Sequence, residues 1–221
     1  MEAKEVLEEK KETGYYDFVD LDLETVLVES GMVDQMFYLR DLQRRKFILN
    51  TNIEQFNIAD IVRHILQINR EDAGIPPEDR KPIRIYIASN GGEVDAGFEL
   101  IDAIECSKTP VHTINMGNQY SMGFLIGLAG HKRFALKNAK YLHHDGSSYI
   151  YNSGAKLQDQ MKFQERVEDR IKNYVLDHSR LTVEEYEEKF RVEWYMFADE
   201  AKEKGFVDSI VGVDCDIDEI V

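Results

Sequence analysis

Between Lys46 and Val211 the chain repeatedly alternates short apolar runs with longer stretches whose apolar residues recur every three or four positions. Lys46 to Asn50 (KFILN) reads as a strand, and Ile58, Ile61, Val62, Ile65 and Ile68 then share one helical face. Glu71 to Pro82 carries Gly74, Pro76, Pro77 and Pro82 among charges and reads as a loop. Ile83, Ile85 and Ile87 mark a second strand, and Phe98, Ile101 and Ile104 a second helix. After Pro110 come strand Val111 to Met116, turn Gly117 to Ser121 and a short apolar helix Ser121 to Leu128. Arg133 to Leu136 and Ala139 to His144 read as strands. A long helix opens at Gly154, with Phe163, Val167, Ile171 and Val175 every fourth residue, and helices near 183–190 and 198–204 precede a last strand, Phe206 to Val211. Strands that alternate with helices predict an α/β fold with parallel strands and right-handed crossovers, because a parallel pair needs a long connection between its members.

The 221 residues suit one domain preceded by an arm. Residues 1–30 are acidic and weakly patterned, with Glu2, Glu5, Glu8, Glu9 and Glu12 around only Lys4, Lys10 and Lys11, and read as a mobile arm, pro-segment or solvated helix. Residues 31–221 form the expected folded domain. A net charge of -15 disfavours nucleic acid and anionic membranes as partners. The apolar run Met122 to Ala129 is far below the ~20 residues that span a bilayer, and no secretory signal is visible after Met1. Cys106 and Cys215 lie far apart without metal-type spacing, which fits a reducing cytoplasm.

Three segments can carry chemistry. Ser89-Asn90-Gly91-Gly92 follows a strand, and paired glycines let backbone amides approach a carbonyl oxygen or an anion. Taken alone, it is also an ordinary strand-to-helix turn. Met116-Gly117-Asn118-Gln119-Tyr120-Ser121-Met122-Gly123 puts a serine between strand and helix, where unpaired amides can stabilise an oxyanion. Taken alone, Ser121 is also a plain helix cap. His143-His144 ends a strand, so only one of the two faces a given site. The two diverge and lack a third ligand nearby, which disfavours a metal there, so no metal ligand is assigned.

The segments IYIASNGGEVDAGFELIDAI, MGNQYSMG, KRFALKNAKYLHH and ADEAKEKGFVDSIV, in this order and spacing, resemble the proteolytic subunits of the Clp protease family from about Phe47 to Val211. The resemblance implies a Clp/crotonase-like fold of repeated ββα units with a protruding handle helix, here the helix from Gly154. It implies a serine endopeptidase with Ser121 as nucleophile, His144 rather than His143 as base, and the Gly92 and Met122 amides as oxyanion hole. The family's acid falls on Glu193, one methylene longer than the usual aspartate. Glu193 is otherwise a surface carboxylate, and Asp145 competes for its role.

Further departures are Asn90 for the usual proline, Asp145-Gly146 for Gln-Pro, a serine-to-histidine loop shorter by two residues, and an arm before about Thr25 without a match. The resemblance also implies stacked heptameric rings, an AAA+ unfoldase partner that uses the ATP, unfolded polypeptides as substrates, and a substrate groove bordered by Gly146 to Ser153. No G-x-x-x-x-G-K-[ST] loop is present, so no cofactor is expected on this chain. Two alternatives stay open: a weakly active or inactive ring subunit that tunes an active paralogue, and a crotonase-type enzyme, against which the Ser121 and His144 pair argues.

Overall fold

The computed structural model describes residues 30–146, 153–189 and 192–221. The acidic arm, apart from Ser30, and most of the Gly146 to Ser153 segment lie outside the described residues. In chain order the main elements are α1 (Val33–Gln43), β1 (Lys46–Leu49), α2 (Gln55–Glu71), β2 (Ile83–Ser89), α3 (Val94–Glu105), β3 (Val111–Tyr120) and α4 (Met122–Leu128). There follow β4 (Lys132–Leu136), β5 (Lys140–His143), α5 (Gly154–Asp177), α6 (Val183–Lys189), β6 (Trp194–Phe197), α7 (Ala198–Glu203) and β7 (Ser209–Val211).

The strands form one sheet in the order β1-β2-β3-β4-β7, with every neighbour in that path parallel. Strand β3 forks it. Its first half, His112 to Asn115, pairs with β4, and its second half, Asn118 to Tyr120, pairs with β5. Strand β6 runs antiparallel along β5. The α/β expectation therefore holds, and the sheet is mostly parallel.

The isoleucines of β2 and those of α2 meet in one buried core, joined by Leu100, Ile101 and Ile104 of α3 and by all of α4. Arg45 and Asp72 close one corner of it. The Arg45 guanidinium makes two 2.7 Å hydrogen bonds to the Asp72 carboxylate, which also accepts from Thr109 Oγ1 at 2.9 Å. This ties the start of β1 to the end of α2 and to the loop before β3.

Three sequence expectations change. Gly117 to Tyr120 is strand, not turn: its glycine and polar residues suit a turn, but β5 supplies pairing partners, and tertiary pairing overrides local preference. The last strand is shorter than expected, Ser209–Val211 only. On α5 the four-residue stripe is buried only at Val175, while Phe163 is 60% exposed. The helix packs on the core through Ile171, Tyr174, Val175 and Leu176 at its C-terminal end, and its N-terminal part is largely exposed. Helix α1 and strand β6 carried no clear sequence signal. Both are short, and α1 buries only Met36 and Leu42.

Candidate active site

Ser121 sits where β3 ends and α4 begins, with φ 54° and ψ -121°. A positive φ at a non-glycine residue is strained and persists only where the surroundings impose it. They do so here. The Ser121 amide donates to Leu142 O of β5 at 2.9 Å, and its carbonyl accepts from Phe124 N at 3.0 Å and Leu125 N at 3.3 Å. Every residue of α4 is buried, so the turn cannot relax.

The glycine turn lies directly against this serine. A Cβ on Gly91 would stand 2.8 Å from Ser121 Cβ, 2.8 Å from Tyr120 O and 3.1 Å from Met122 N. Only a glycine permits that approach, and Gly91 also has φ +99°. The turn is pinned on both sides: Ile53 N donates to Gly91 O, and Glu93 N donates to Ile53 O, both at 2.9 Å. Ser89 Oγ accepts from Gly91 N at 3.1 Å. The Gly92 amide lies between these bonds and has no partner among the described residues. Met122, whose amide is the other predicted oxyanion donor, is the first residue of α4.

The end of β5 supplies the histidines. His143 is 2% exposed, and its ring packs on Phe124 at 5.4 Å and Tyr186 at 5.3 Å. Burial, helped by the neighbouring His144, lowers its pKa to about 4, so its imidazole is neutral and part of the core. His144 points the other way, as strand alternation requires, and is half-buried. Its Nε2 is buried and makes no hydrogen bond among the described residues, so no Ser121–His144 bond is formed.

Glu193 lies just before β6. The β5–β6 register pairs His143 with Trp194 and Leu142 with Tyr195, so the next rung sets Glu193 opposite His144. Its carboxylate accepts a 3.0 Å hydrogen bond from the Tyr195 hydroxyl, and among the described residues none joins it to His144. Asp145 is exposed. Sequence reasoning named the paired glycines without giving Gly91 a role of its own, and it missed Tyr195. The Glu-x-Tyr spacing at 193 and 195, which shares one strand face, was the available signal for that tyrosine.

Among the described residues no group of three His, Cys, Asp or Glu could hold a metal, and no helix is long and apolar enough to cross a membrane. What the strand end, serine turn and glycine turn assemble is a hydroxyl, an imidazole and free amides around one corner of an α/β sheet, the equipment of acyl transfer.

The family model described as Clp protease matches residues 29–214. ATP-dependent Clp protease proteolytic subunit 2 of Treponema pallidum (strain Nichols) is 28% identical over 185 residues, covering 83% of this chain and 89% of that protein. ATP-dependent Clp protease proteolytic subunit 1 of Bacillus cereus (strain ATCC 10987 / NRS 248) is 30% identical over 176 residues, covering 79% and 88%. The chain belongs to the Clp protease family, a family of serine peptidases.

Proposed function

We propose that this chain is a proteolytic subunit that hydrolyses unfolded polypeptides through Ser121, His144 and Glu193. Ser121 Oγ attacks the scissile carbonyl while His144 takes its proton, and the Gly92 and Met122 amides hold the oxyanion. Collapse breaks the C–N bond, and His144 returns the proton to the leaving amine. Water then attacks the acyl ester with His144 again as base, which frees Ser121. Glu193 orients the imidazole and offsets its charge. The chemistry needs no cofactor on this chain.

One observation carries the reading: Ser121 is bonded to the strand that ends in His144 and packed on the turn that carries Gly92. We extend it to stacked heptameric rings joined through α5, an AAA+ ATPase that unfolds substrates with ATP, and a cytoplasmic location. A substrate strand adds beside Gly146 to Ser153 by β-augmentation.

A second reading, a weakly active subunit that tunes an active paralogue, is favoured by the Glu193–Tyr195 bond, which leaves His144 without its acid. Fluorophosphonate labelling of the full chain separates the two. A peptidase labels at Ser121 and hydrolyses a fluorogenic peptide; intact rings that never label favour the tuning subunit.

A further inference from the structure

Glu193 is bonded to one donor, the Tyr195 hydroxyl, and the β5–β6 register leads it toward a second, His144. Carried one residue past the last β5–β6 pair, His143 with Trp194, the alternation puts residues 193 and 195 on one face and residues 142 and 144 on the same face. In that register Tyr195 is paired with Leu142, and Glu193 falls one rung beyond, on the His144 side. Directly opposed residues hold their Cβ atoms about 5 Å apart, a distance that a glutamate arm spans. In the structure the carboxylate turns along its own strand to the Tyr195 hydroxyl.

Tyr195 is tied to the nucleophile as well. Its ring meets Tyr120, the residue before Ser121, edge-on at 5.9 Å and 89°, and Tyr120 is itself paired with Leu142. The phenol is held on the serine turn from one side and on the acid from the other.

We propose that Tyr195 is a positioning residue that holds Glu193 off His144, so that breaking one hydroxyl–carboxylate bond lets the acid cross to the imidazole and complete the catalytic set. This rests on the Ser121, His144 and Glu193 reading. The latch moves no proton: the phenol keeps its hydrogen, and only the acceptor changes donor. The Tyr195 pKa is raised, first by its hydrogen bond to Glu193 and then by burial and the same carboxylate's charge, so it stays a donor at neutral pH. Tyr195 is 55% exposed, so an approaching substrate strand or neighbouring subunit can reach it.

Tyr195→Phe in the full-length chain keeps the ring on Tyr120 and removes only the hydroxyl. A single released hydrogen bond predicts a kcat about three- to tenfold higher on a fluorogenic peptide, with KM unchanged. In a Glu193→Gln background the same change should do nothing. A downfield His144 ring N–H proton resonance, the mark of a bond to a carboxylate, should appear in Tyr195→Phe and vanish in Tyr195→Phe/Glu193→Gln. Unchanged kcat and spectrum in Tyr195→Phe, or an equal gain in both backgrounds, overturns the latch. If Ser121 never labels with fluorophosphonate, the peptidase reading fails by itself, and the His144 resonance still decides the latch.

Discussion

The Ser121 amide donates a 2.9 Å hydrogen bond to the carbonyl of Leu142, two residues before His144. This bond puts the backbone of the proposed nucleophile in register with the strand that leads to the proposed base. The side-chain bond between Ser121 and His144 is unmade, yet the main-chain bond already fixes which two elements meet.

Ser121→Ala should lower kcat for peptide hydrolysis by roughly 10⁴- to 10⁶-fold while the native mass of the assembly stays the same. Kinetics with a fluorogenic peptide beside native mass spectrometry checks both halves. Cleavage retained in this variant removes the nucleophile assignment.

Gly91→Ala should cost both stability and activity. The new Cβ meets Ser121 Cβ and Tyr120 O at 2.8 Å, so the two turns must part, and φ +99° adds strain. Overpacking of this kind costs about 1–3 kcal/mol, and a shift of ~1 Å at the nucleophile lowers the rate about 100-fold. Chemical denaturation and kcat/KM measure the two effects separately.

Glu193→Gln should lower kcat about tenfold or more, Glu193→Asp should match or exceed the parent, and Asp145→Asn should leave the rate unchanged. An aspartate is too short to hold the Tyr195 hydroxyl in the same way, and it supplies the acid type usual in the family. A large loss in Asp145→Asn with none in Glu193→Gln transfers the orienting role to Asp145.

Acid should destabilise the chain through several groups, among them Asp72, His143 and His112, whose pKa burial also lowers to about 4. Burial alone raises the Asp72 carboxyl, but hydrogen bonds from Arg45 and Thr109 and the charges of Arg45 and Arg80 outweigh it and hold the pKa below its ordinary 3.8. His143 falls from 6.5 to about 4. Both folded values lie below the unfolded ones, so the unfolded chain binds protons first and stability falls as pH falls. The His143 contribution is complete above 6.5 and lost between there and about 4; that of Asp72 is lost lower, below the ordinary carboxylate value. Urea melts from pH 7 to pH 3 should show the decline, and His143→Phe should flatten its upper part. Asp72→Ala, which leaves the Arg45 charge unpaired, should cost about 3 kcal/mol at pH 7.

The periodicity of Ile58 to Ile68 and the alternation of Ile83 to Ile87 made α2 and β2 legible, because each repeat shows which face is buried. The two glycine-bearing turns and the histidine pair were legible as chemistry, because few residue types can do that work. Strand β6 was not legible. Its four residues, Trp194 to Phe197, show no strict alternation, and their pairing partner lies some fifty positions away. The second half of β3 was misread for the same reason: whether Gly117 to Tyr120 bends or extends depends on β5.

By itself the sequence determined the α/β alternation, the buried faces of α2 and α3, the family, and which side chains to propose as nucleophile and base. Those are local properties, set by composition, spacing and backbone freedom. Only the tertiary structure decided that Gly91 packs on Ser121, that His143 is core while His144 is half-buried, and that Glu193 bonds Tyr195. Each of these depends on which distant strands become neighbours and in what register, and a one-residue slip in that register would turn every one of these side chains to the opposite face.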